Sequence, residues 1–334
     1  MRSYILLSIV VVALQTQNSH VATRCDPANL AVVCGLENAE DLVRLPGASW
    51  IVASHVNRSL IHEQLRGFGP VEAVNMDTHE VRRLYPTAES AVEWDRNTYP
   101  DCPLPPGSIS SHGLNVKPLG QSKFRLYVAN HGNRQSVEVI DIAIRGEQLL
   151  TTWRGCIRSP KRIFPNGVAP LPGGGVVLSG FGVATWMPGR GWSEVSKITG
   201  SNGVEVSRDG RWLFVADDTT KAIIRMPVKE AQKEKVVKLD FVPDNLRWGE
   251  DGCLYVAGAY WPEGFPIDEC FKSPDCAIGS KVVQLDSDSL TVKEVFHSDG
   301  IEGLFCATTA LQIGTKLWIG CNRGDRLVVV GFKP

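Results

Sequence analysis

The chain has 334 residues, with 35 basic and 36 acidic side chains, so it lacks the basic surplus that would mark nucleic acid as a partner. At 43% hydrophobic it can bury a full core, which excludes a disordered chain, and its length suits one large β domain as well as two ordinary ones. Its 32 glycines and 20 prolines fit many short strands joined by tight turns.

Met1-Arg2-Ser3 precedes an apolar run from Tyr4 to Leu14, then polar residues to Ala22. That is the layout of a signal peptide over residues 1–22, and the run is shorter than the ~20 apolar residues a membrane span requires. His20 stands where a small residue is wanted before Ala22, so a retained anchor is the alternative, with peripheral membrane or lipid association through the N-terminus. The chain is expected to be secreted, or lumenal in the secretory pathway, with one domain over 23–334. Nine cysteines without a CxxC pair fit an oxidising compartment. Cys270 and Cys276 are close enough to bridge locally, and Cys25 or Cys34 is expected to reach a C-terminal cysteine and staple the first and last strands together. Asn57-Arg58-Ser59 is a glycosylation sequon.

Six segments then repeat one grammar of a polar residue, Gly or a second polar residue, an aliphatic residue, a turn and an apolar strand. They begin at Glu40-Asp41-Leu42, His112-Gly113-Leu114, Asn166-Gly167-Val168, Asn202-Gly203-Val204, Asp244-Asn245-Leu246 and Glu302-Gly303-Leu304. The following strands, such as Trp50-Ile51-Val52-Ala53 and Leu213-Phe214-Val215-Ala216, end on small residues where neighbouring blades would crowd. Turns at Leu45-Pro46-Gly47, Pro172-Gly173-Gly174, Arg208-Asp209-Gly210 and Glu250-Asp251-Gly252 complete hairpins. Repeats of this spacing predict an all-β, six-bladed propeller with four-stranded blades around a central channel. The Pro-rich stretch before Ser111 is a candidate cover for the channel mouth, and the charged run Lys229 to Lys238 a solvated edge or blade connection.

In a propeller the first positions of all repeats converge at one end of the channel. Glu40, Asp41, His112, Asn166, Asn202, Asp244, Asn245 and Glu302 would meet there. Carboxylates and amide carbonyls without thiolates suit a hard cation that tolerates irregular geometry, which points to Ca²⁺ rather than Mg²⁺ or Zn²⁺.

Glu40-Asp41, Ser111-His112-Gly113, Val128-Ala129-Asn130-His131, Pro165-Asn166, Ser201-Asn202-Gly203-Val204 and Asp244-Asn245 together resemble the paraoxonase/arylesterase family, within the wider gluconolactonase-like calcium propellers. The resemblance covers most of the mature chain. It implies a Ca²⁺-dependent hydrolase of lactones and aryl esters, with Glu40, Asn166, Asn202, Asp244 and Asn245 on the catalytic calcium and His112 and His131 as the family's histidine pair. Two departures stand out. Family members carry an acidic residue directly after the first ligand Asn, where it helps hold a second, structural calcium, and here that position is Gly167. Asp41 and the carbonyl of Leu114 remain as candidates for that second site. The region around Trp261 also differs from the family pattern.

The chemistry expected is attack of water on a carbonyl polarised by calcium. His112 is the candidate base, oriented by His131, and Asp244 is its rival. No Gly-x-Ser-x-Gly elbow points to a serine hydrolase. Two other readings are a calcium-pinned propeller that only binds a ligand or partner, and a strictosidine-synthase-like enzyme.

Overall fold

The computed structural model describes residues 25, 31–56, 69–229, 233–270, 276, 278–300 and 304–332. The signal segment, the sequon at Asn57 and Glu302 lie outside them. Six sheets, each with four antiparallel strands, form a ring, and the protein is a six-bladed β-propeller. Its innermost strands are Leu42–Arg44, Ser111–Gly120, Val168–Pro170, Ser201–Val206, Val242–Trp248 and Ala307–Ile313, each packed against the next and the last against the first. Val32–Cys34 closes the ring by pairing with Arg326–Gly331, so the start of the chain supplies the outer strand of the sixth blade.

The second strand of each blade is covered on both faces, which is why these segments are continuous apolar runs rather than alternating ones. Trp50–Ala53 and Val176–Ser179 are buried at every residue. The large core clusters lie one in each seam between neighbouring blades. Val52 and Val71 of the first blade meet Leu126 and Val128 of the second, and Ile51 meets Trp318 of the sixth. Removing a side chain such as Leu126 would open one seam, at about 2–5 kcal/mol for a buried Leu. The hairpin glycines Gly47, Gly173, Gly210 and Gly252 all have positive φ, as their turns require.

Two sequence expectations change. The sixth inner strand begins at Ala307, later than the start predicted at Glu302-Gly303-Leu304, and Thr308 stands in the register shift that marks the converging position. Cys25 bridges Cys34 instead of a C-terminal cysteine, and backbone pairing of Val32–Cys34 performs the stapling. The Pro-rich stretch climbs the outer edge of the second blade, where Ala91–Val92 pairs in parallel with Gln148–Arg158 and Cys102 bridges Cys156. It then runs along the loop that follows His131, where the carbonyls of Leu104, Ser108 and Ser110 accept from Arg134 Nη1, the Asn133 N–H and the His131 N–H. Cys270–Cys276 forms as anticipated, and Lys235–Lys238 is the exposed outer strand of the fourth blade.

The Cys102–Cys156 bridge closes a loop with a sequence separation of 54. A loop that long leaves the unfolded chain much freer once the bridge is gone, so the Cys102→Ala, Cys156→Ala double variant should lose about 2–5 kcal/mol. Urea unfolding under non-reducing conditions checks this. An unchanged midpoint would mean that the clip does not stabilise the blade.

Candidate functional site

Bulges at the start of the inner strands build the site. The pairing register shifts between Ser111 and Leu114, Ser201 and Val204, Pro243 and Leu246, and Ala307 and Thr309. The residues inside each shift, His112-Gly113, Asn202-Gly203, Asp244-Asn245 and Thr308, leave the ladder and are free to serve the channel. Glu40-Asp41 and Asn166-Gly167 hold the same place just ahead of their own strands. The glycines bring the blades together. A methyl on Gly167 would lie 2.8 Å from the Val204 nitrogen and 3.0 Å from the Gly203 Cα. One on Gly203 would lie 2.6 Å from the Asp244 carbonyl oxygen. Only hydrogen fits there.

Two of the predicted residues, Asn245 and His112, meet Glu40. Asn245 Nδ2 donates to Glu40 Oε1 at 2.7 Å, and the Thr308 hydroxyl donates to the Glu40 carbonyl at 2.6 Å. His112 Nε2 lies 3.6 Å from Glu40 Oε1. Gly113 N–H donates to the Asn166 carbonyl, and the Ser179 hydroxyl to that of Asn202. Glu40 has its carboxyl raised well above the usual range, first by burial and then by the charges of Asp244 and Asp41.

Oxygens at this end of the channel lack partners. Glu40 Oε2 and the Oδ1 atoms of Asn166, Asn202 and Asn245 are buried and accept no hydrogen bond, and Asp244 Oδ1 is buried with them. An unpaired buried acceptor costs about 1–3 kcal/mol, so four among the converging residues are acceptors that a cation could satisfy. Among the described residues no three His, Cys, Asp or Glu side chains form a metal-sized group. An ion held here would therefore draw on amide oxygens as well as carboxylates, a donor set that fits calcium.

Deeper in the channel, Asp41 and the Leu114 carbonyl are brought together, but both face Arg247. Its Nη2 donates to Leu114 O at 2.7 Å and to Asp41 Oδ2. Nothing in the repeat grammar pointed to this arginine.

Beside Glu40 runs a chain of side-chain hydrogen bonds. Gln135 Oε1 lies 2.7 Å from His131 Nδ1, and His131 Nε2 lies 2.9 Å from His112 Nδ1. With the Gln135 oxygen accepting, neutral His131 carries its proton on Nδ1 and offers the Nε2 lone pair, so His112 donates through Nδ1. That leaves His112 Nε2 deprotonated on the Glu40 side. Phe164 stacks on His131 with centroids 4.1 Å apart, and Phe181, 68% exposed, stands beyond it at the mouth. Gln135 and the two phenylalanines were not among the sequence candidates, since an amide or an aromatic in a loop has no periodic signature.

Burial pushes the His131 imidazole down to about 4 from its ordinary 6.5. The unfolded chain then binds the extra proton between those values, so stability is complete above pH 6.5 and falls as pH drops toward 4. The full effect amounts to about 3 kcal/mol. His131→Gln should flatten this slope, as read by urea unfolding at pH 6.5 and 4.5. Parallel slopes in the two proteins would refute the assignment.

The arylesterase family model matches residues 180–327. A curated relative, serum paraoxonase/lactonase 3 of Oryctolagus cuniculus, is 24% identical over 323 residues, covering 88% of this chain and 86% of that protein. Among solved structures, a presumed gluconolactonase aligns with a TM-score of 0.52 at 15% identity, covering 94% of this chain and 99% of that one. A calcium-binding regucalcin of Agrobacterium tumefaciens strain C58 also aligns at 0.52, with 11% identity over 90% of this chain and 93% of its own. The family match over 180–327 and the relative that spans most of the chain support the paraoxonase/arylesterase family for this chain, and the solved structures agree with it in fold.

Proposed function

We propose that the chain is a calcium-dependent hydrolase of carboxylic esters, with lactones as first substrates and aryl esters as second. The observation that carries this reading is the group of unpartnered buried oxygens around Glu40 with an imidazole beside it. The arylesterase family match over 180–327 and a relative named a paraoxonase/lactonase support it, as does a structural neighbour described as calcium-binding. Glu40, Asn166, Asn202, Asp244 and Asn245 would hold the ion. When bound, it supplies a Lewis acid for the carbonyl oxygen on which negative charge develops.

The residues perform the rest. His112 Nε2 takes a proton from water, and the water oxygen bonds to the acyl carbon. His112 then returns the proton to the departing alkoxide as its bond to that carbon breaks, leaving a carboxylic acid and an alcohol. His131 and Gln135 hold His112 in the tautomer this needs. Phe164 and Phe181 offer an apolar wall to the acyl or aryl part of the substrate. Three disulfides accord with an oxidising, secretory location and with glycosylation at Asn57. Lipid association would depend on residues 1–22, and among the described residues no helix is long and apolar enough to cross a membrane.

The test is turnover of a γ- or δ-lactone and a phenyl ester by purified protein, before and after exhaustive treatment with a calcium chelator. Both activities should vanish with the ion and return when calcium is restored. Turnover that survives chelation would remove the metal from the chemistry. A calcium-dependent rise in Tm without hydrolysis of any ester would instead favour a binding module.

A further inference from the structure

We propose that Arg247 is the second cation of the channel: its guanidinium holds by covalent tether the place that the family resemblance gives to a structural calcium, and the chain takes one divalent ion rather than two. The ion count rests on the calcium reading above, whereas the role of the guanidinium does not.

Gly167 is where the acidic ligand for a second ion would stand, and no carboxylate fits there. A Cβ at that position would already lie 2.8 Å from the Ser179 hydroxyl and 3.0 Å from the Gly203 Cα. The charge is instead balanced from another direction. Arg247 comes from the fifth blade, is 3% exposed, and directs four of its five donors to other blades and one to its own neighbour. Nε donates to the Leu42 carbonyl at 2.9 Å. Nη1 donates to Glu205 Oε1 at 2.9 Å and to its neighbour's carbonyl, Leu246 O, at 2.6 Å. Nη2 donates to the Leu114 carbonyl at 2.7 Å and to Asp41 Oδ2. One group thus links the first, second, fourth and fifth blades, as a metal at the hub would.

The acceptors it meets are already filled. Asp41 Oδ2 also accepts from Leu114 N–H at 2.7 Å, and Oδ1 accepts from Leu42 N–H at 2.8 Å and from the Thr309 hydroxyl at 3.2 Å. Glu205 Oε1 accepts from Asn115 Nδ2 at 3.0 Å. The contrast with the upper level is direct, because Glu40 Oε2 and the Oδ1 atoms of Asn166, Asn202 and Asn245 accept nothing. The two levels of the channel are therefore different sites. The upper one offers unpaired acceptors to an ion and the lower one carries its own cation.

A guanidinium cannot be chelated, so removal of the catalytic ion should leave the blades joined. Metal analysis of protein equilibrated with calcium and freed of unbound ion should return one calcium per chain. Two per chain would overturn the proposal. Arg247→Met leaves Asp41 and Glu205 buried without a counter-charge and should lower Tm by roughly 5–10 °C. Asp41→Asn and Glu205→Gln added to it should recover most of that loss, which a purely packing role would not do. An unchanged Tm in Arg247→Met overturns the proposal. Should that variant fail to fold, the ion count of the wild-type protein decides. A count of zero with the Tm loss intact would sink the calcium reading and leave Arg247 as the cation of the channel.

Discussion

Glu40→Gln should lower kcat/KM for a lactone by at least about 10³-fold, equivalent to about 4 kcal/mol of transition-state stabilisation. Glu40 is the residue on which the upper site converges, through Asn245, Thr308 and His112. Glutamine has the same shape and its oxygen can still accept from Asn245. It cannot offer the negative charge or the second acceptor that Glu40 Oε2 provides. Binding of the ion should fall with activity, so the rise in Tm on adding calcium should disappear. The ion-free protein should behave in the opposite way. Burial and the charges of Asp244 and Asp41 disfavour the Glu40 carboxylate in the folded state. That penalty is present above the ordinary carboxylate pKa and grows until the raised value is passed. Glutamine removes it, so without calcium Glu40→Gln should melt higher than wild type at pH 7. Steady-state assays and calcium titrations of Tm on the same preparations check both halves. Near wild-type turnover in Glu40→Gln would remove this residue from the active site.

The sequence made the fold readable because a propeller repeats its instructions. A polar residue, a glycine and an aliphatic residue recur before each inner strand for one reason, that a bulge and a close blade contact are needed at the same place each time. Asn202-Gly203 shows the logic best, since the amide serves the channel while the glycine lets the fifth blade approach. The sixth blade misled because Glu302-Gly303-Leu304 satisfies the grammar six residues too early. Thr308, which holds the converging position, needs no glycine after it and donates through a hydroxyl to the Glu40 backbone. Arg247 was illegible for a different reason. An arginine within Val242–Trp248 reads locally as an outward polar residue. Its partner Asp41 is 206 positions away and comes near only when the ring closes. Cys25 illustrates the same limit, because a nearby partner at Cys34 and a distant one are equally compatible with cysteine spacing.

If the glycines set the spacing of the ring, Gly203→Ala should damage it far more than one methyl group suggests. The new Cβ would sit 2.6 Å from the Asp244 carbonyl oxygen, 2.7 Å from the Asn245 Cα and 3.0 Å from Asn245 Oδ1. Two of those three atoms are backbone and cannot rotate aside, so the seam between the fourth and fifth blades must open. Overpacking of this kind typically costs about 1–3 kcal/mol. The more telling loss is functional. Asn202 precedes the substituted residue, and Asp244 and Asn245 are the residues pushed, so three of the five proposed calcium ligands shift together. Calcium affinity should fall at least about tenfold, the equivalent of only ~1.4 kcal/mol, because oxygens that a cation needs within narrow limits are no longer held there. Gly331→Ala supplies the control, since a Cβ at Gly331 meets nothing within 4 Å. Calcium titration monitored by Tm should place Gly331→Ala with the wild type and Gly203→Ala apart from it. If both variants bound calcium equally well, blade spacing at Gly203 would not govern the geometry of the site.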